Sequence, residues 1–131
     1  MKSKIIALCA LFALSELNAY AEDVYMVANP ETQISSADVK DVFSGEKQFF
    51  GSVKAVPVDN GALQADFLAK AFKISLDRYN AMWTKKSFRY GVNPPAVKVN
   101  DADVIAFVKS TPGAIGYVSK PSPAVKTIEK Y

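Results

Sequence analysis

Residues 111–118 read Thr-Pro-Gly-Ala-Ile-Gly-Tyr-Val, and this stretch predicts a buried strand that directly follows a helix. Proline and glycine at 112 and 113 end the helix, whereas the apolar run at 114–118 is typical of a strand covered on both faces. Gly116 indicates that a neighbouring element approaches this strand closely. The preceding helix is predicted from two capping residues and four apolar residues at helical spacing: Asn100, Asp103, Val104, Ile105, Phe107 and Val108.

Strands and helices alternate in the same way along the rest of the chain. This alternation predicts an α/β layer structure with a small sheet of three to five strands. The predicted segments are a strand at 24–28, a short helix from a capping box at Ser35 and Asp38 to Gly45, a strand at 53–58, a helix around Phe67, a helix from the N-cap Ser75 to Lys86, a connector at 87–95 and an edge strand at 124–128.

The composition excludes several classes of function. The chain has 131 residues, 50% of them hydrophobic and 22% charged, which is ordinary for one globular domain. It contains no histidine, so it cannot form a Ser-His-Asp triad, a Cys-His pair or a His-ligated metal site. The net charge of +3 is too small to imply capture of nucleic acid. We therefore expect a non-enzymatic protein with neither metal nor cofactor.

Residues 1–21 have the pattern of a secretory signal peptide. Lys2 and Lys4 precede an apolar run at 5–14, and Ala19-Tyr20-Ala21 matches an A-x-A cleavage site. Cleavage after Ala21 would also remove Cys9, the one cysteine of the chain, so disulfides and thiolate chemistry are excluded. The prediction is a periplasmic or secreted single domain at residues 22–131, with no membrane insertion after cleavage.

Two motifs that suggest enzymatic or metal chemistry have simpler interpretations. Ser44-Gly45-Glu46-Lys47 matches the S-x-x-K pattern of penicillin-recognising enzymes, but Gly45 ends the helix on which Ser44 and Lys47 would share a face. Asp101 and Asp103 start a helix without the glycine and distal glutamate of a calcium loop. Neither motif predicts a catalytic or metal-binding site.

Aromatic and basic residues cluster around the third predicted helix. The aromatic residues fall at core spacings, which favours packing over ligand stacking: Phe67, Phe72, Tyr79, Trp83 and Phe88. Lys85, Lys86 and Arg89 form a local basic cluster. It is either a solvated helix end or a contact for an anion or an acidic partner.

Asp59-Asn60-Gly61 is the most suggestive candidate site, because a strand that runs into a helix N-terminus offers backbone amides to an anion. N-capping by Asp59 is the simpler alternative. If an anion binds, we expect the amides of Asn60 and Gly61 to hold it, with Arg89 as a side-chain partner.

Four stretches in order resemble the periplasmic phosphate-binding proteins of ABC transporters, the PstS-like group, and especially their short relatives. They are 27–30 followed by Asp-Val-Phe-Ser-Gly at 41–45, Val-Pro-Val at 56–58, 83–95, and Pro-Gly-Ala-Ile-Gly-Tyr-Val at 112–118. The resemblance implies one lobe of a type II periplasmic-binding-protein fold, with a small mixed sheet of three to five strands flanked by helices.

The resemblance also implies a role in solute binding, with a small oxyanion such as phosphate as ligand. Full-length members close two lobes on phosphate, and their loop carries an arginine and a Ser-Gly-Thr cluster where this chain has Asp59-Asn60-Gly61-Ala62. The alternative is an interaction module that keeps the lobe fold without phosphate binding. It would dock an envelope protein, or a second copy of itself, with the face that a second lobe would cover.

Overall fold

Seven strands are present in the computed structural model, which describes residues 22–131; the predicted signal peptide at 1–21 lies outside the described residues. Their bounds are β1 Tyr25–Ala28, β2 Phe49–Phe50, β3 Val53–Lys54, β4 Val56–Asn60, β5 Ala96–Lys98, β6 Ala114–Val118 and β7 Lys126–Lys130. Five of the strands form one sheet, in the order β5-β4-β6-β1-β7, and β2 and β3 form a small hairpin.

Helices cover both faces of this sheet. Their bounds are a 3-10 turn Ser36–Asp38, α1 Val39–Phe43, α2 Gln64–Phe67 continued by a π-helical turn Leu68–Phe72, α3 Leu76–Tyr90 and α4 Asp101–Ser110. Within residues 22–131, no helix is long and apolar enough to cross a membrane.

The sheet is mixed. β4 pairs in parallel with both β5 and β6, while β1 pairs antiparallel with β6 and with β7. The predicted α/β fold with a small mixed sheet of three to five strands is therefore confirmed. Because β4, β5 and β6 run in one direction, their carboxyl ends at Asn60, Lys98 and Val118 lie at the same edge of the sheet.

Successive strand residues point to opposite faces, and this alternation produces two cores. On one face, β1 and β6 contribute Met26, Ala28, Ile115 and Tyr117 to a large cluster under α1, α2 and α3. On the other face, Val27, Val58 and Val118 pack against Val104 and Val108 of α4. The sheet is thus the middle of three layers.

The helix starts predicted at Ser35, Ser75 and Asn100 and the close approach predicted at Gly116 are confirmed, whereas Asp59 does not cap α2, whose N-cap is Leu63. Ser75 Oγ accepts a hydrogen bond from the Arg78 amide, and Asn100 Oδ1 accepts one from the Asp103 amide. Ser35 and Asp38 form the capping box. A Cβ atom added at Gly116 would lie 2.7 Å from Val104 Cγ1, so α4 packs directly on the strand backbone.

Three predicted boundaries are wrong for identifiable reasons. The connector at 87–95 is helical as far as Tyr90, because the first breaker is Gly91, whose φ of 68° ends α3 in a left-handed cap. The strand at 53–58 divides at Ala55 into β3 and β4, and β4 extends to Asn60 because it pairs with β5. β5 itself is an additional strand, and the edge strand predicted at 124–128 lies at Lys126–Lys130.

Candidate functional site

A groove of about 650 Å³ opens beside α3, near the carboxyl end of β4. In open α/β sheets, ligands bind at the carboxyl ends of the strands. The groove has a carboxylate, small polar groups from α3, aromatic side chains and a proline-rich segment. Its lining residues are Asp59, Gln64, Tyr79, Asn80, Trp83, Thr84, Ser87, Phe88, Pro94, Pro95 and Val97.

Asp59 is the charged residue of this groove, and only 1% of its surface is exposed. Tyr79 Oη donates a hydrogen bond to Asp59 Oδ2 at 2.9 Å, and Tyr117 Oη donates one to Oδ1 at 2.8 Å. The two tyrosines come from α3 and β6, so the carboxylate joins a helix to the sheet. Its position is therefore fixed from two sides.

Burial dominates the acid–base properties of this cluster. Removal of Asp59 from water raises the pKa of its carboxyl to about 6, although hydrogen bonds from Tyr117, Tyr79 and Gln64 favour the ionised form. Burial, together with the negative charge of Asp59, raises the pKa of Tyr79 and of Tyr117 far above the ordinary tyrosine value. Both hydroxyls therefore stay protonated and act as donors near neutral pH.

Asn60, the next residue, belongs to a separate hydrogen-bond network on the opposite face of the sheet. Its Nδ2 donates to Asp101 Oδ1 at 2.9 Å and to the Tyr117 carbonyl at 3.0 Å. Asp101 in turn accepts hydrogen bonds from the amide and hydroxyl of Ser119. Asn60 is fully buried, and this network joins β4, β6 and the start of α4.

The loop after β4 uses its amides within the chain. The Gly61 amide donates to the Lys98 carbonyl at 2.8 Å, the Ala62 amide to Asn60 Oδ1 at 3.1 Å, and the Leu63 amide to the Asn60 carbonyl at 3.0 Å. The following helix α2 has four residues. In this conformation the three amides have partners already, so the loop does not present them to an anion.

Arg89 lies on the exposed last turn of α3. Within residues 22–131, no hydrogen bond or ion pair joins it to Asn60 or Gly61. Of the basic cluster, Lys86 turns toward α1, where its Nζ contacts the Ser44 carbonyl and Glu46. The structure thus places Asn60 and Gly61 together but does not bring Arg89 to them.

The rim of the groove carries exposed apolar side chains, and one of them, Phe88, is predicted from the sequence to lie in the core. Phe88 is 94% exposed, so its predicted core role is wrong: it lies on the outer side of α3, one turn beyond the buried Trp83. Val97 of β5 is 57% exposed and Val99 is 74% exposed. Phe88 and Val97 line the groove and form an apolar rim beside the buried carboxylate.

A smaller cavity of about 280 Å³ lies on the other side of Trp83. Lys47 and Lys54 are among its lining residues, and the Lys47 ammonium pairs with Asp38 at 2.8 Å. Across residues 22–131, no cluster of three or more Asp, Glu, Cys or His side chains is arranged to hold a metal ion.

Sequence reasoning did not identify the Asp59, Tyr79 and Tyr117 cluster as a site. The sequence pattern favours a capping role for Asp59 and core or strand positions for both tyrosines. One signal was present: Asp59 directly follows the apolar run Val-Pro-Val at 56–58, where a strand that continued would bury the carboxylate.

Comparison with known proteins supports the fold. No protein-family model matches the chain, and no curated protein matches it by sequence. The structure is similar to an ABC-type phosphate transport receptor from Vibrio cholerae, with a TM-score of 0.59 and 16% identity over 82% of this chain and 46% of that one.

It is also similar to a phosphate ABC transporter substrate-binding protein, described as putative and solved with bound phosphate, from Clostridium perfringens. The TM-score is 0.55, with 13% identity over 82% of this chain and 44% of that one. The chain therefore has the fold of part of these substrate-binding proteins and spans less than half of their length. The predicted resemblance to this superfamily is confirmed at the level of fold.

Proposed function

We propose that this chain is an exported, non-enzymatic binding lobe that captures its ligand in the groove beside α3. The observation that carries the proposal is the groove itself, which lies near the carboxyl end of a central strand and contains one buried carboxylate. Its volume of about 650 Å³ is in the range of small-molecule sites.

The chemistry of the groove supports binding rather than catalysis. The chain has no histidine, and both oxygens of Asp59 accept tyrosine hydroxyls that stay protonated. Asp59 is almost fully buried, so it does not reach a proton of a bound ligand as a general base would, and it acts on a ligand through its negative charge.

Export is tested by cell fractionation and N-terminal sequencing of the full chain. We expect the protein in the envelope fraction, with Glu22 as its first residue, because cleavage follows Ala21. A cytoplasmic protein that retains Met1 would contradict this part of the proposal.

Binding is tested by thermal unfolding of purified 22–131 with a panel of anionic, neutral and cationic solutes. A ligand of the folded lobe raises the unfolding temperature, and Ser87→Phe should abolish that shift because it fills the groove. Lys85→Phe is the matched control, since Lys85 is an exposed α3 residue outside the groove lining. Equal shifts in both variants would place the ligand elsewhere.

Oxyanion binding by Asn60, Gly61 and Arg89 is the second candidate, favoured by the bound phosphate of one structural neighbour. Phosphate and sulfate in the same panel test it directly. Because the Gly61 amide already donates to Lys98, binding there requires that β5 separates from the loop. No shift with millimolar phosphate would reject this candidate and leave the groove proposal standing.

Docking of an envelope protein, or of a second copy, is the third candidate, favoured by the exposed apolar rim of Phe88 and Val97. Light scattering distinguishes a monomer from a dimer. A dimer that Phe88→Ser dissociates would support self-association through the rim. A monomer would leave docking to a partner, which a photocrosslinker placed at Phe88 in whole cells would identify.

A further inference from the structure

The buried carboxylate of Asp59 has no cationic partner among the described residues. The ion pairs of residues 22–131 join Lys47 to Asp38, Lys86 to Glu46 and Lys130 to Asp23. Buried charges in folded proteins are normally paired, because removing an ion from water is costly. Asp59 is thus a desolvated negative charge in the wall of an open groove.

The carboxylate also keeps unused acceptor capacity. Oδ1 accepts one hydrogen bond from Tyr117 and Oδ2 one from Tyr79, whereas an ionised carboxylate offers about four acceptor positions. The two hydroxyls orient the group without neutralising it, since both tyrosines stay protonated. A cation that enters the groove would be attracted by this unneutralised charge in its wall.

The groove walls are suited to the same kind of ligand. Tyr79, Trp83 and Phe88 contribute aromatic side chains, and Pro94, Pro95 and Val97 contribute apolar surface. Aromatic faces attract ammonium groups, tryptophan most strongly. The other polar lining groups are amides and hydroxyls, so the groove itself supplies no positive charge.

We infer that the groove binds an organic ammonium ion, with its cationic head toward Asp59 and its apolar body against Trp83, Phe88 and Pro95. The inference rests on the proposed function, which makes the groove the ligand site, and adds the ligand's chemical class. The ammonium comes either from a free amine or from a lysine side chain of a peptide, and the two sources need separate probes.

Trp83 provides a local reporter, because it is the one tryptophan of the chain and lines the groove. We expect n-butylammonium chloride to produce a saturable change in its fluorescence at pH 8, and the neutral alcohol 1-pentanol to produce none. An acetylated Gly-Lys-Gly amide and its norleucine counterpart test the peptide source. Saturation by butylammonium alone would assign a free amine, whereas tighter binding of the lysine peptide would assign a protein segment.

The decisive variant is Asp59→Asn, which keeps the side-chain shape and removes the charge. We expect it to weaken butylammonium binding at least tenfold, while Asp77→Asn, at an exposed carboxylate on the first turn of α3, changes it less than twofold. Equal affinity in wild type and Asp59→Asn, or no saturable response in wild type, would overturn the inference.

A pH titration of the wild type tests the same point without a mutation. The groups that face Asp59 are the hydroxyls of Tyr79 and Tyr117 and the amide of Gln64, and none of them titrates between pH 5 and 8. Since the pKa of Asp59 is about 6, roughly a tenth of it is ionised at pH 5, and binding should be about tenfold weaker there than at pH 8. Unchanged affinity between these pH values would contradict a role for the carboxylate.

Failure of the inference is distinguishable from failure of the proposed function. If a neutral or anionic solute changes Trp83 fluorescence, and Ser87→Phe abolishes that change, the groove is a ligand site of a different class and the ammonium inference is wrong. If no solute is sensitive to Ser87→Phe, the proposed function fails as well.

Discussion

Asp59→Asn should change the pH dependence of folding in a direction that few carboxylate substitutions produce. Most acidic groups in folded proteins have lowered pKa values and lose stabilisation in acid. Asp59 has the opposite shift, because burial raises its pKa from 3.8 to about 6. The folded chain therefore binds this proton more tightly than the unfolded chain, and Asp59 favours folding more as the pH falls.

The magnitude follows from those two values. Above pH 7 the Asp59 carboxyl is ionised in both the folded and the unfolded state, and its contribution to the free energy of unfolding is then at its least favourable. As the pH falls from 7.5 to 4.5, the folded state takes up the proton first and gains about 2 kcal/mol relative to the unfolded state. The gain would reach about 3 kcal/mol below pH 3.8, where both states are protonated.

Urea unfolding of 22–131 at pH 7.5 and pH 4.5, followed by circular dichroism, measures this difference. Asparagine does not titrate, so Asp59→Asn should lack the 2 kcal/mol gain, whereas Asp77→Asn should keep it. Other acidic groups, such as Asp38, whose pKa is lowered chiefly by its hydrogen bond from Lys47, affect wild type and variant alike and cancel in the comparison. Identical pH profiles for wild type and Asp59→Asn would refute the reasoning.

Four further substitutions test the packing and the networks by denaturant unfolding. Gly113→Ala should lower the free energy of unfolding by about 3 kcal/mol, because the φ of Gly113 is 80° and the new methyl group would overlap the Lys54 carbonyl oxygen. Gly51→Ala is the control: its φ is 61° but the space around it is open, so the loss should be about 1 kcal/mol. Asn60→Ala should cost about 2 kcal/mol or more, since it leaves buried hydrogen-bonding partners unsatisfied, and a smaller loss would show that water replaces the amide. Phe88→Ser should alter stability by less than about 0.5 kcal/mol, because the ring is exposed; a large loss would mean that Phe88 is buried in solution.

The order of strands and helices was predictable because its signals are local. The helix caps at Ser75 and Asn100 are set by residues within one turn, and both form as expected. Gly116 gave a non-local clue, since a glycine inside an apolar strand indicates close packing of another element, and α4 provides it. Local propensity and burial pattern agree in these segments, so the sequence determines them nearly alone.

The end of β4 was not predictable in this way. Asp59 and Asn60 have low strand propensity and suggested a loop, yet both are strand residues because β5 pairs with them. β5 lies more than thirty residues later in the chain and has three residues, two of them exposed, so no local pattern marks it. The candidate site depends on this non-local pairing, which explains why its carboxylate was interpreted as a cap.

The pairing of β4 with β5 has two consequences at this edge of the sheet. When β5 extends β4 to Asn60, the Lys98 carbonyl takes the Gly61 amide, and a donor that could hold an anion is used. The extension also fixes Asp59 as a strand residue on the face that Tyr79 and Tyr117 cover, so the carboxylate is buried in the groove wall. With β5 paired to β4, the carboxylate is buried and the Gly61 amide has a partner, whereas an anion-binding loop needs that amide free. The two arrangements therefore exclude each other. A ligand that binds this conformation must suit a negative groove, whereas one that binds the loop amides must first displace β5.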